Sequence, residues 1–450
     1  MNKKIINIFL FTSSLLLTSC SFDKVTGIWS GSEEQVKKIQ ELEKEQKEKL
    51  NSVTIYSSEG IFSKEVLSNK VVKLSKPKKN TSWLMSGLNL QNSLGNISLP
   101  NADNNFLKKK IGKKKFPFSK AISAPLVFKN NIVLSDDRGT IYRTTLKGKI
   151  IWKKNIYVKI YKNIYKNLNL TIHNNNIFVA DNIGFIYAIN FENGKIVWIK
   201  NHGIPLKSNI KISKDKLFVI NQDSKLICLD IKKGTSVWDV RTISSFIKTQ
   251  NVMGLAISND NNVLMFNSSG DLKKINVEDG LVQWSLNTTM SSLSDSADLF
   301  NSSDVVINDN DVIVSTSSST FSFNLSNGYL NWENDIGSNN EAIIVNKNIY
   351  LVTNKGYFIN LERSSGKIIW SINILKDLKR KHQFTEVSGF ILGSGKIYAV
   401  TSNGYLIICS ASSGEVESFK KISSSILASP IISNELLFIL TSNYKVLGYN

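Results

Sequence analysis

Along most of the chain, short runs of alternating β-rich residues are separated by turn residues in one recurring order. Asn176-Ile-Phe-Val-Ala-Asp181 leads to a turn at Gly184. Phe185-Ile-Tyr-Ala-Ile-Asn190 then leads to a second turn at Gly194, and Lys195-Ile-Val-Trp198 follows. A period of two residues predicts strands, and runs of this length are too short for helices. The frame returns at Asn348-Ile-Tyr-Leu-Val-Thr353 and at Lys396-Ile-Tyr-Ala-Val-Thr401. A glycine precedes a tryptophan by four residues at Gly148/Trp152, Gly194/Trp198, Gly234/Trp238, Gly280/Trp284, Gly328/Trp332 and Gly366/Trp370. An earlier turn glycine stands at Gly139, Gly184, Gly270, Gly356 and Gly404. A repeat in the forties with two turn signals per unit predicts an all-β fold, a propeller of four-stranded antiparallel blades.

Counting units gives eight blades. Six carry Trp152, Trp198, Trp238, Trp284, Trp332 and Trp370 in the outermost strand, where a flat indole can wedge between neighbouring blades and bury a large area. A seventh, from about Thr385 to Lys421, has Phe419 in the tryptophan's place, one residue late. The tail holds three strands: Ala428-Ser-Pro-Ile-Ile432, Leu436-Leu-Phe-Ile-Leu440 and Lys445-Val-Leu-Gly-Tyr449. An open edge would invite aggregation, so a fourth strand must come from elsewhere. Asn105-Phe-Leu-Lys-Lys-Lys-Ile-Gly112 resembles the outer strand Trp332-Glu-Asn-Asp-Ile-Gly337 and is expected to close the ring. Aromatics at one phase of one repeat read as core, and the glycines as turns rather than a phosphate cradle.

The N-terminus follows a different pattern. Lys3 and Lys4 precede an apolar run from Ile5 to Leu17, too short to span a bilayer and typical of a secretory signal. Leu17-Thr18-Ser19-Cys20 has the form of a lipobox, which predicts a signal peptide over 1–19 and Cys20 as the lipidated first residue. Ser21, where aspartate would retain a lipoprotein at the inner membrane, favours the outer membrane. Residues 20–100 form a tether and pre-propeller segment, with the propeller over 101–450. The i,i+4 pairs Glu33/Lys37, Glu34/Lys38 and Glu45/Lys49 predict a solvated helical stretch. From Ser52 to Pro100 there are strand-like pieces, such as Val71-Val-Lys-Leu74, and polar loops without a repeat phase.

The formal net charge is +20, and the densest block is Lys108–Lys115. Such a balance would admit nucleic acid, but an exported chain argues against it. The block reads either as a solvated edge or as a contact for an acidic partner or anionic lipid headgroups. Beyond Cys20 the cysteines are Cys228 and Cys409, in the third and seventh blades. They are too far apart around a ring to pair and read as small buried hydrophobes. His173, His202 and His382 share no motif. No serine stands in a nucleophile elbow, and turn roles account for Asp136, Asp137, Asp295 and Asp298. Neither a catalytic constellation nor a metal site is expected.

The Gly-x-x-x-Trp units preceded by Gly-x-Ile-Tyr-Ala-Ile resemble the tryptophan-docked repeats of quinoprotein-type propellers. They do not resemble repeats with Trp-Asp, because only Trp238 is followed by aspartate. With the lipobox, the tether, the preface Trp83-x-x-x-Gly87 and eight repeats, the chain resembles the BamB family. Members of that family are lipoprotein subunits of the outer-membrane β-barrel assembly (BAM) machinery. The resemblance implies a non-catalytic scaffold without cofactor, anchored in the inner leaflet of the outer membrane and facing the periplasm. Its implied partners are BamA, through the periplasmic POTRA domains, and unfolded outer-membrane proteins as clients. The implied contact residues are Phe246, Ile247 and Lys248 after the third blade, with lysine in place of the family's arginine. Asp295 and Asp298 follow after the fourth blade, with one extra residue between the acids. Two alternatives stay open: a quinoprotein dehydrogenase with quinone, calcium and adjacent cysteines, and an envelope propeller that binds peptide or glycan.

Overall fold

The structure, a computed structural model, describes residues 62–68, 72–117, 123–242, 252–288, 302–376, 378 and 385–450. All belong to one compact unit, Phe62–Asn450. The signal segment, Cys20 and the helical tether lie outside the described residues.

Eight sheets of four antiparallel strands make an eight-bladed β-propeller. Blades 1 to 7 span residues 126–155, 168–201, 211–241, 254–287, 306–334, 343–373 and 387–421. Blade 2 shows the build. Leu168–His173, Asn176–Asp181 and Phe185–Asn190 are mostly buried, whereas Ile196–Asn201 alternates between half-buried and exposed positions. The inner strands lie between neighbouring blades and the fourth lies at the rim, so only the fourth keeps a half-polar pattern. Blade 8 takes Ile431–Ser433, Leu436–Leu440 and Lys445–Tyr449 from the C-terminus. Its fourth strand is Asn105–Lys110, antiparallel to the last, with Lys108 opposite Leu447. The expected closing strand is therefore the one used.

Each of blades 1 to 7 carries a register shift in its fourth strand. In blade 2, Ala188 faces Trp198 but Ile189 faces Ile196, so Val197 is the extra residue. Such a bulge re-aims the side chain beside it. The indole then crosses to the next blade and lies on the turn glycine there. A Cβ on Gly194 would stand 2.9 Å from the Trp152 ring, one on Gly234 2.8 Å from Trp198, and one on Gly280 2.9 Å from Trp238. These glycines have positive φ, which the tight turn requires, and they also clear space for the preceding blade's indole. The repeating glycine and tryptophan are thus partners across joints, not within one blade.

Five indole N–H groups donate to a carbonyl just past the next blade's third strand. Trp152 reaches Phe191 at 2.9 Å, Trp198 Ile231 at 3.1 Å, Trp238 Val277 at 3.2 Å, Trp284 Leu325 at 3.0 Å and Trp332 Arg363 at 2.8 Å. Trp370, 2% exposed, has no partner for its N–H. The equivalent carbonyl, that of Ala411, accepts the Tyr350 hydroxyl at 2.9 Å instead. In blade 7, Ser418 stands in the indole's register, opposite Ile408. Phe419, opposite Ile407, packs among residues shared by blades 6 and 7 and against the Tyr405 ring at 4.7 Å. A one-residue shift in a strand turns a side chain to the other face, so Phe419 faces back to blade 6 and not forward as the six indoles do.

Residues 73–99 form a strap that hydrogen-bonds to every blade. Trp83 exchanges two backbone bonds with Val127 of blade 1, and Leu84 accepts from Ile172 of blade 2. Leu90 and Gln91 accept from Ile257 of blade 4 and Ile307 of blade 5. Lys73 meets the Asn346 side chain of blade 6, Ile97 bonds Leu392 and Ser394 of blade 7, and Asn80 bonds Asn434 and Ile432 of blade 8. Blade 3 joins through Lys211, whose ammonium donates to Ser86 O at 2.9 Å, Asn89 O at 2.8 Å and Asn92 Oδ1. These contacts fall on first strands or first hairpins, so the strap satisfies part of the edge that the innermost strands present to the channel.

Candidate functional site

The expected partner residues Phe246, Ile247, Lys248, Asp295 and Asp298 lie outside the described residues, as does His382. The strands that flank them are described. One connection runs from Ser236–Arg241 to Gly254–Ile257, and the other from Val282–Asn287 to Val306–Asn308. Both therefore join a fourth strand to the next blade's first strand, on either side of blade 4. Connections of this kind leave the propeller at the end opposite the first hairpins, where the strap binds.

In the channel the strap is held by a buried polar cluster. Asn92, fully buried, donates through its amide to Leu255 O at 3.0 Å and Val305 O at 2.7 Å while accepting from Lys211. Asp304 accepts from the backbone N–H of Leu255 and Val305 and from Asn209. Burial pulls the Lys211 ammonium below its ordinary range, opposed by the charges of Asp304 and Glu341. Burial also raises both carboxyls, and for Glu341 the neighbouring Asp304 adds to the rise. Trp83 and Gly87, noted in the sequence as a preface, belong to this strap. A Cβ on Gly87, at φ +71°, would stand 2.0 Å from Asn92 Oδ1, so the glycine makes room for the amide that ties three blades together.

A second cluster opens at the surface of blade 1. A cleft of about 460 Å³ is lined by Lys113, Arg138, Lys153, Lys159, Lys162 and Lys166 with Thr140, Tyr142, Asn155, Tyr157 and Val158. Its walls are the two connections that flank blade 1: Lys113 follows the closing strand of blade 8, and residues 156–167 lead to blade 2. Three carboxylates stand behind it, and all are engaged by neutral donors. Asp136 accepts from the backbone of Lys113, Arg138 and Thr140 and from the Tyr142 hydroxyl. Asp137 accepts from the backbone of Lys115 and Phe116. Asp181 accepts from Ile183, Gly184 and Phe185 and from the Tyr157 hydroxyl. Among the described residues none of the six cations is in an ion pair. The Lys166 ammonium lies 5.0 Å over the Tyr157 ring and donates to Tyr161 O. Burial, then the nearby Lys115 charge, pulls it below its ordinary range. Sequence reading singled out the Lys108–Lys115 block, yet only Lys113 of that block lines the cleft. A second run, five lysines from Lys153 to Lys166, supplies four of the six cations: Lys153, Lys159, Lys162 and Lys166.

A quinone-and-calcium centre with adjacent cysteines does not fit the residues present. Cys228 and Cys409 are free and buried in third strands of blades 3 and 7, and burial raises each thiol to about 12. Among the described residues no group of three or more His, Cys, Asp or Glu side chains is arranged to hold a metal ion.

Comparison with known proteins gives three kinds of likeness. A family model described as outer membrane protein assembly factor BamB matches residues 137–372. A protein named outer membrane protein assembly factor BamB from Moranella endobia is 22% identical over 234 residues, which are 47% of this chain and 58% of that protein. One so named from Shewanella oneidensis is 23% identical over 234 residues, 46% of this chain and 57% of its own length. The chain thus spans less than two thirds of these relatives. Among solved structures, BamB from Moraxella catarrhalis superposes with a TM-score of 0.62 at 13% identity, covering 76% of this chain and 99% of that one. A europium-containing methanol dehydrogenase superposes with a TM-score of 0.65 at 14% identity, covering 80% and 90%. At such identities the superpositions show the fold alone.

Proposed function

The chain belongs to the family of outer membrane protein assembly factor BamB, and on that premise we propose that it is a non-catalytic scaffold of the BAM complex. In this reading Cys20 carries the acyl anchor, which holds the chain at the outer membrane facing the periplasm. The connections after blades 3 and 4 bind the periplasmic domains of BamA, with Phe246, Ile247, Lys248, Asp295 and Asp298 as the contacts. The propeller would orient that partner, or present unfolded barrel proteins to it. The observation that carries the reading is the extent of the family match. It runs from blade 1 through most of blade 6 and includes both connections.

The test is direct binding of the full chain to the periplasmic domains of BamA. Binding is expected to weaken at least about tenfold when Lys248→Glu and Asp295→Lys are combined, because reversed charges at an interface repel. Failure of the wild-type chain to bind would sink the scaffold reading. Unchanged affinity of the double variant would remove these two loops from it.

A further inference from the structure

We propose that the cleft on blade 1 binds the phosphate of an anionic lipid headgroup, with the connection to blade 2 resting on the membrane surface. Six cationic side chains converge on one cleft, and no acidic residue lines it. The carboxylates behind it are occupied by backbone N–H groups and tyrosine hydroxyls, so they reduce the positive field without closing the site. A group with several strong acceptor oxygens answers that arrangement.

The choice of a lipid over an acidic protein rests on the rim. Val158 is 66% exposed, Ile160 79% and Ile164 45%. These three apolar side chains alternate with Lys159 and Lys162 between Val158 and Ile164, and the 3-10 turn Lys159–Tyr161 holds Ile160 outward. The turn is braced from beneath, since the Tyr161 ring packs on Tyr157 at 6.2 Å and on Phe185 at 5.5 Å. Exposed aliphatics among lysines suit a bilayer interface, where acyl chains cover the apolar groups and headgroups meet the charges.

This inference goes beyond the scaffold reading and stands without it. The test uses the full chain carrying Cys20→Ser, so that no acyl anchor masks the effect, and vesicles of phosphatidylcholine with or without phosphatidylglycerol. Binding is expected only with phosphatidylglycerol and should fall with added salt. Each of Lys159→Gln and Lys162→Gln should weaken it about fivefold, the effect of one surface lysine near an anionic leaflet. Ile160→Ser should weaken vesicle binding while leaving its salt dependence in place. Equal binding to both vesicle types would overturn the proposal, as would wild-type affinity of the lysine variants. A poly-glutamate peptide that binds while the vesicles do not would assign the cleft to an acidic protein, and saturation by inorganic phosphate alone would reduce it to an anion site. Circular dichroism of each variant separates lost binding from lost fold.

Discussion

Two regions hold the ring together by different means. At the blade joints one device is repeated: an indole from one blade, a glycine from the next and a carbonyl beyond it. The strap repeats nothing. It meets the blades through backbone and side-chain atoms at no fixed spacing, and it gathers blades 3, 4 and 5 at Asn92. A repeated joint ties nearest neighbours, so its contributions add locally. The strap ties blades that are distant in sequence, and its loss is felt by several at once. What the two share is a dependence on glycine to clear space for a neighbour, at Gly194 for Trp152 and at Gly87 for Asn92.

The largest effect is expected from Asn92→Ala. It removes two donated bonds and one accepted bond, leaving the carbonyls of Leu255 and Val305 orphaned and the Lys211 ammonium short of a ligand. Orphaned buried groups weigh more than the bonds they made, so a loss of about 3–5 kcal/mol is expected in urea denaturation. A loss under about 1 kcal/mol would mean that the strap is an ornament on a ring that closes without it.

Next comes Gly280→Ala at a joint. The added methyl would stand 2.9 Å from the Trp238 ring at a backbone φ of +76°. Overpacking and left-handed strain together should destabilise by about 2–3 kcal/mol. A turn role alone would predict only the smaller, conformational part, about 1 kcal/mol. The same measurement therefore decides whether this glycine serves its own turn or its neighbour's indole.

Why the joints were legible and the strap was not follows from the same contrast. Gly-x-x-x-Trp recurs at one phase, so six copies expose the pattern even though each signal is weak. The closing strand was legible because it copies the rim strand of blade 5. The strap has no second copy for comparison. Its bonds are made by backbone atoms and by polar side chains such as Asn80, Gln91, Asn92 and Asn96, residue types that in isolation read as loop. Phe419 shows the resolution of such reading: its place in the repeat was found to within one residue, and in a strand one residue selects the opposite face. The basic cleft was half visible, since a run of lysines appears in sequence while only the fold brings Lys113 into the same cleft as Lys162.

The smallest effect tests the joint where the indole is kept but its acceptor is taken. At blade 5, Trp332→Phe keeps an aromatic ring against Gly366 but leaves the Arg363 carbonyl without its indole donor. At blade 6, Trp370→Phe removes an N–H that already has no partner, because Tyr350 holds the Ala411 carbonyl. Both substitutions shrink the ring by a similar amount, so the packing losses should nearly cancel in the comparison. The remaining difference is one hydrogen bond, about 1 kcal/mol, with Trp332→Phe the more destabilised. Adding Tyr350→Phe sharpens the point. It frees the Ala411 carbonyl, and a subsequent Trp370→Phe should then cost more than it does in the wild-type chain, as a double-mutant cycle would register. Additivity of those two substitutions would show that hydroxyl and indole do not compete for one acceptor. The orphaned N–H of Trp370 would then need another cause.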